Sequence, residues 1–393
     1  MNASRARLRQ GTALLAALAL ASLAACGGGS DTPAAATPAP VTSNPTPSND
    51  PPADTRLAVD AITVFGDSLS DVGTYAAATG DPANPGKFTV NPGKVWVEDI
   101  ADHYGLALRP ARSLTMDKDA SYGATTEVGT ATDLGGNGYA EGGARVAAFP
   151  SESGVGNNQL VAPVASQVTR YLDTHARVGA HELVLIDGGG NDSYAQFSAL
   201  CWGTDDNQLG AGNTTDAIAD AQIEQAAHAQ VDNVKRLLAR GAPLVLVASA
   251  ADWSSNPFGR YYLSDAYQAK GCSSPVPAAR ITAWTARFNS ILRDGLAGVQ
   301  GALYFETDSA FADAIADPQA YGLVNIDTPA CTNVTPGNSA TFCTAATLAA
   351  PDAAQTYLWS DAFHPTPRGH AILAAHALTL LDGQARPAAT ATP

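Results

Sequence analysis

The chain has 393 residues, 45% hydrophobic and 15% charged, which is ample apolar material for a sizeable core and not the make-up of a chain disordered throughout. Its formal net charge of −15 argues against nucleic acid as a partner and against electrostatic docking on anionic lipid, and leaves uncharged ester or glycan substrates open.

The N-terminus carries Arg5, Arg7 and Arg9 ahead of an apolar run from Thr12 to Ala25 that is too short to span a bilayer stably, the pattern of an export signal over residues 1–25. Leu23-Ala24-Ala25-Cys26 resembles the bacterial lipobox, which implies cleavage before Cys26 and a lipid on that cysteine; the alternative is an ordinary signal peptide with a stray thiol. Residues 26–56 are rich in Pro, Ala and Thr, almost without large apolar side chains, and are expected to form a flexible tether. The expected location is the bacterial cell envelope, as a lipoprotein held at a membrane through Cys26. Apolar periodicity begins at Leu57, so one folded domain is expected over 57–383, with a frayed tail over 384–393.

Within that domain, strand-like runs recur at Ile62–Phe65, Glu182–Ile186, Pro243–Ala248 and Ala302–Phe305, with a weaker fifth near Leu106–Leu108. Between them, Val95–Tyr104, Gln159–Thr174, Thr214–Arg240 and Ala278–Leu296 carry apolar residues at helical spacing, and a last helix is expected from Pro367 to Leu381. Such alternation predicts a parallel sheet with helices on both faces. Long Gly/Ser/Asn/Thr-rich pieces at 109–138, 199–213 and 325–352 are expected to be loop insertions over that sheet.

Cys26 aside, Cys201, Cys272, Cys331 and Cys343 are an even set in an exported chain and predict two disulfides. Three pairings are possible; nearness favours Cys331–Cys343, leaving Cys201–Cys272. No cysteine pair has C-x-x-C spacing and no histidine cluster lies nearby, so no metal and no cofactor is expected.

Several short pieces place reactive side chains where strands end. The run Ala61–Phe65 stops at Gly66, and Ser68 follows at what would be the strand's carboxyl end and the start of a helix; Ser68 is a candidate nucleophile or, alternatively, a helix cap. Gly138 to Arg145 is glycine-rich, suited to bringing backbone N–H groups close to a ligand, or simply to a tight turn. Leu183 to Ser193 runs from a strand into three glycines and then Asn191, whose amide could donate to an oxyanion. Asp361 and His364 stand three apart on an irregular segment, a spacing that lets a carboxylate fix an imidazole tautomer; the other six histidines are read as surface or packing residues.

In that order, Gly-Asp-Ser-Leu at Gly66, Gly-Gly-Ala at Gly142, Gly-x-Asn-Asp ending at Asp192, and Asp-x-x-His-Pro from Asp361 resemble the four blocks of the SGNH (GDSL) hydrolase family, esterase and phospholipase branch, over essentially all of 61–381. The resemblance implies a three-layer α/β/α, flavodoxin-like parallel sheet of about five strands. It also implies Ser68 as nucleophile, His364 and Asp361 as its triad partners, and an oxyanion hole from the Ser68 and Gly143 N–H groups with the Asn191 amide, Gly142 being the alternative to Gly143. The expected activity is ester hydrolysis through an acyl-enzyme on a small-molecule or lipid ester. The alternatives are carbohydrate deacetylation, acyl transfer to another acceptor, or a surface protein that binds without catalysis. An apolar groove would favour lipid esters, and a polar cleft lined by Trp202, Trp253, Tyr261 or Tyr262 would favour glycans.

Overall fold

The computed structural model describes residues 58–116, 129–149, 160–202, 214–332 and 339–384. The expected signal peptide, Cys26, the tether up to residue 56 and the tail from residue 385 lie outside the described residues.

The elements in chain order are β1 (Ala61–Phe65), α1 (Ala76–Thr79), α2 (Trp96–His103), β2 (Arg112–Met116), β3 (Gly129–Asp133), α3 (Val164–Thr174), β4 (Glu182–Ile186), α4 (Gly190–Cys201), α5 (Asp216–Ala239), β5 (Leu244–Ala248), α6 (Pro257–Tyr262), α7 (Asp265–Gly271), α8 (Ala278–Leu296), β6 (Ala302–Phe305), α9 (Thr307–Ala316), α10 (Ala353–Thr356) and α11 (Pro367–Asp382). Two of the long helices, α5 and α11, begin where a side chain can satisfy a free N–H group. Thr215 Oγ1 accepts from Ile218 N at 3.3 Å to start α5, and Thr366 Oγ1 accepts from Gly369 N at 3.1 Å, with Pro367 in the first turn, to start α11.

Four strands form one parallel sheet in the order β1-β4-β5-β6, with Phe65 beside Ile186, Ile186 beside Val247 and Ala248 beside Phe305 at their carboxyl ends. Alternate residues of these strands serve two cores. Phe65, Val184, Ile186, Val245 and Val247 pack with Val168, Phe197, Val234 and Phe288 from α3, α4, α5 and α8. Ile62, Val64, Leu183, Leu185, Leu244 and Leu246 pack with Ile100, Phe311 and Leu373 from α2, α9 and α11. The result is the expected three-layer α/β/α architecture, and the period-two side-chain alternation of buried strands is what divides it.

The sheet has four strands rather than about five. The segment expected to be a strand near Leu106–Leu108 does not pair: the turn at Gly105 returns Leu106 N to Ala101 O at 2.9 Å, and the first bridge beyond it joins Pro110, which has no N–H to donate, to Gly138 and not to a strand of the sheet. What remains is a narrow step, in which Val64 donates to Asn137 O at 3.0 Å, Tyr139 donates to Val64 O at 2.7 Å and Ala111 donates to Gly138 O. The insertion over 109–138 is also not all loop, since β2 and β3 pair antiparallel within it. Four further helices, α4, α6, α7 and α9, and the single turns α1 and α10 arise where none was expected. The described cysteines pair as nearness suggested, Cys201 with Cys272 and Cys331 with Cys343.

Candidate functional site

The carboxyl ends of all four parallel strands open on one cavity of about 570 Å³, lined by Ser68 and Leu69 after β1, Asp187 to Asn191 after β4, Ser249 to Asp252 after β5 and Asp308 after β6. This is the rim where open parallel sheets present their ligand sites.

Ser68 is held there by a turn, not by a helix. The helix expected to start at Ser68 does not form, and the nearest one, α1, is a single turn beginning at Ala76. Local carboxylates capture the backbone donors instead: Asp67 Oδ1 accepts from Leu69 N at 3.0 Å, and Asp71 Oδ1 accepts from Gly73 N at 2.9 Å and Thr74 N at 2.7 Å. Such short-range side-chain acceptors compete with helix formation. Ser68 therefore receives no contribution from a helix dipole. Beneath it, Gly66 has φ of 154°, and a Cβ there would stand 1.4 Å from Asp187 Oδ1. Only glycine lets Asp187 come so close. Asp187 in turn accepts from Asp67 N at 3.2 Å and from the Ser70 hydroxyl at 3.0 Å, and Ser70 Oγ accepts from Trp96 Nε1 at 3.0 Å. Gln167, from α3, clamps Gly66 on both sides, accepting its N–H at 2.9 Å and donating to its carbonyl at 2.8 Å.

His364 lies 296 residues further along the chain, and its Nε2 is 2.9 Å from Ser68 Oγ. Its segment is folded back on itself, with Ser360 N donating to His364 O at 2.7 Å and Trp359 bridging Pro365. Asp361 sits behind the ring, 2.8 Å from Nδ1 through Oδ2, while its Oδ1 accepts from the N–H groups of Phe363 at 2.8 Å and His364 at 2.7 Å and its Oδ2 accepts from Ala340 N at 2.7 Å. Burial works to raise the Asp361 pKa, but the neighbouring imidazole and these N–H donors together outweigh it and hold the carboxyl below its ordinary value. The carboxylate is thus kept ionised, and as an acceptor it selects the imidazole tautomer with hydrogen on Nδ1, leaving Nε2 toward the serine.

The glycine-rich segment and Asn191 complete the ring of groups. Asn191 is the second residue of α4, not a strand end, and its Nδ2 donates to Ala144 O at 3.0 Å while the amide also bonds the Asp67 carboxyl. Between Gly142 and Gly143, the geometry separates the two. Gly142 N donates to Asp71 Oδ2 at 2.9 Å, whereas among the described residues the N–H groups of Gly143 and Ser68 donate to no other group. Gly143, Ser68 and Asn191 all line the cavity; Gly142 does not.

The remaining walls are chiefly apolar. Phe311, Ala312, Ile315 and Ala316 present one face of α9, and Leu69, Phe88, Tyr194, Trp253, Trp359 and Phe363 close the other sides. Of the four aromatics named as a possible glycan platform, only Trp253 lines the cavity. Trp202 and Tyr262 pack against one another at 5.8 Å between ring centroids, and Tyr261 stands exposed elsewhere. The α9 wall, Asp187 and Gln167 are the site residues that the sequence reading missed. Phe311 and Ile315, four apart, and Ala310 and Ala314, likewise four apart, carried a helical signal for α9. Nothing local marked Asp187 or Gln167. Among the described residues no group of three or more His, Cys, Asp or Glu could hold a metal ion.

The profile of the GDSL-like lipase/acylhydrolase family matches residues 62–377. The chain belongs to that family. This GDSL-family chain is 26% identical over 277 residues to phosphatidylcholine-sterol acyltransferase of Aeromonas hydrophila, an alignment that covers 69% of this chain and 65% of the relative. It thus spans just under two thirds of that protein's length. The extracellular lipase of Streptomyces rimosus superposes with a TM-score of 0.35 at 15% identity, over 81% of this chain and 98% of the other.

The acids around the GDSL turn carry a stability consequence. Burial pushes Asp67 and Asp71 up from 3.8 to about 6, and Asp308, also chiefly through burial, to about 6. A carboxyl whose pKa is raised on folding stabilises the fold below its unfolded value, and that contribution is lost as pH rises through the folded value. A rise of this size corresponds to about 3 kcal/mol for one buried group. Melting temperature should therefore fall between pH 4 and pH 7, and Asp308→Asn, which keeps an acceptor for Asp252 N, should flatten that slope; an unchanged slope in Asp308→Asn contradicts the assignment.

Proposed function

We propose that this protein hydrolyses carboxylic esters with apolar acyl groups through a Ser68–His364–Asp361 triad and an acyl-enzyme intermediate. The observation that carries the proposal is the 2.9 Å approach of His364 Nε2 to Ser68 Oγ, with Asp361 2.8 Å from Nδ1, at the edge of a largely apolar cavity. His364 takes the Ser68 proton as Oγ attacks the ester carbonyl, and Asp361 stabilises the imidazolium. The tetrahedral oxygen is met by the N–H groups of Ser68 and Gly143 and by the Asn191 amide, which exchanges its resting partners for the oxyanion. His364 returns the proton to the leaving alcohol, then activates the water that frees the acid. Neither metal nor cofactor enters these steps.

Acyl transfer to an alcohol other than water is the second reading, supported by the similarity to an acyltransferase. Polysaccharide deacetylation is less supported, because the walls are chiefly apolar and, of the four aromatics expected of a glycan cleft, only Trp253 is among them. Export, with the folded body held to the cell envelope by lipid on Cys26 and a tether up to residue 56, is part of the proposal and would bring the site to membrane-borne esters.

A series of p-nitrophenyl esters from acetate to palmitate, beside phospholipids and acetylated xylan, tests the substrate class. We expect kcat/KM to rise with chain length up to the limit of the cavity; a preference for acetylated xylan over every longer acyl ester would reverse the proposal. Within this series, Ile315→Ala should lower kcat/KM for the octanoate about five-fold, as expected for losing a few buried methylene contacts, and leave the acetate about unchanged.

A further inference from the structure

The oxyanion-hole N–H assigned to Gly143 belongs to the peptide that joins Gly142 to Gly143, so whatever fixes that peptide's plane fixes the direction of the donor. A trans peptide is rigid, with its C=O and N–H pointing opposite ways. A bond to the Gly142 carbonyl therefore aims the Gly143 N–H. That bond exists: the Tyr75 hydroxyl donates to Gly142 O at 2.7 Å, in a buried setting. The preceding peptide is held independently, by Asp71 Oδ2 accepting from Gly142 N at 2.9 Å. Asp71 is fully buried, and its other oxygen is anchored on Gly73 N and Thr74 N, so the clamp is built from the stretch that follows the nucleophile. The segment is pinned further along as well, with Ala144 O accepting from Asn191 Nδ2 and Val146 N donating to Asp192 Oδ2 at 2.9 Å. Gly143 has φ of 84°, a left-handed conformation that turns its N–H out of the run of its neighbours. A Cβ on Gly142 would come within 2.2 Å of the Phe88 ring, which packs edge-on to Tyr75 at 5.4 Å and lies 4.9 Å from the His364 ring.

We propose that Tyr75 and Asp71 are positioning residues that hold the Gly142–Gly143 peptide with its N–H aimed at the developing oxyanion. The inference rests on the ester-hydrolase reading and deepens it by naming what orients the donor. Tyr75 has an additional electronic effect: a hydrogen bond received by the peptide carbonyl polarises the peptide and strengthens its N–H as a donor. Since the oxyanion exists only in the transition state and the tetrahedral intermediate, misaiming this donor lowers kcat and leaves ground-state binding alone.

The test compares Tyr75→Phe, which removes one hydroxyl and keeps the ring packing, with Asp71→Asn, which turns an N–H₂ group toward a backbone donor. Both are assayed on p-nitrophenyl butyrate beside Ser68→Ala. Losing a whole oxyanion donor costs about 100- to 1,000-fold in kcat, so losing its alignment in Tyr75→Phe is expected to cost about 10-fold, with KM within about two-fold of the unsubstituted protein. Inhibition by an alkyl boronic acid, whose serine adduct carries a negative oxygen at the same place, should weaken by the same factor. A loosened fold would raise KM or lower the melting temperature without that match. If Tyr75→Phe keeps the full kcat while Ser68→Ala is inactive, the inference falls and the hydrolase reading stands. Turnover retained in Ser68→Ala overturns both. Asp71→Asn is expected to show the larger loss, and its failure to fold would leave Tyr75→Phe to decide.

Discussion

Ser68→Ala is expected to lower kcat on p-nitrophenyl butyrate by about 10⁴- to 10⁶-fold while the melting temperature stays close to that of the unsubstituted protein. The expectation follows from what surrounds the hydroxyl. Ser68 is part-exposed at the mouth of the cavity, its turn is held by the backbone N–H of Asp67 and by Ser70, and its Oγ bonds His364 Nε2. Deleting the oxygen removes the proposed nucleophile and leaves every bond that shapes the turn. Its stability effect should stay within about 0.5 kcal/mol, the range of substitutions that empty no cavity and strand no buried polar group. A melting temperature lowered by many degrees would mean that the hydroxyl braces the fold, as the hydroxyl of Ser70 does through Asp187.

The second large effect is that of Asp361→Asn, expected to lower kcat about 10³- to 10⁴-fold. Every donor converging on this carboxylate is an N–H: the imidazole Nδ1, Ala340, Phe363 and His364. An amide in its place offers one oxygen where two are used and turns an N–H₂ group against at least one of these donors. Either the imidazole adopts the other tautomer, with hydrogen on Nε2 and no base toward Ser68, or the Ala340 contact breaks. The substitution should also cost stability, by about 1 to 3 kcal/mol for a buried donor left unsatisfied. The pH dependence has a definite sign. Because the Asp361 pKa is lowered on folding, its contribution to stability is present above 3.8 and is lost as pH falls below that value. Protonation of Asp361 is therefore not expected to lower activity between pH 7 and pH 5. An Asp361→Asn enzyme that keeps more than about a tenth of the activity would show that Asp361 has a structural role only.

Much of this arrangement could be read from the chain because its signals are local. Buried parallel strands are short continuous apolar runs, and Glu182–Ile186 and Ala302–Phe305 are found with their expected bounds. Helices with a clear start, such as α8 after Pro277, were equally legible. The order of Ser68, Gly143, Asn191 and His364 was legible because each lies on a short piece whose glycines, or at His364 the prolines, mark a strand end or a turn. The parts that were not legible depend on contacts between distant residues. Ser68 lacks its expected helix because Asp67 and Asp71 take the donors that would have begun one. The fifth strand fails because Pro110 and the turn at Gly105 deny it a ladder, although Leu106–Leu108 has the composition of a strand. Asp187 gave no sign of its role, since what makes it useful is the absence of a side chain at Gly66, on a different strand. That Gly142 N is taken by a carboxylate 71 residues away was likewise not marked locally.

Intact mass analysis after treatment with an alkyl fluorophosphonate tests whether Ser68 is the one nucleophile. A single phosphonyl adduct is expected, mapped to the peptide containing Ser68, formed in step with the loss of ester hydrolysis and absent from Ser68→Ala and His364→Ala. Full loss of activity with the label on another residue, or full labelling of Ser68 with activity intact, would contradict it.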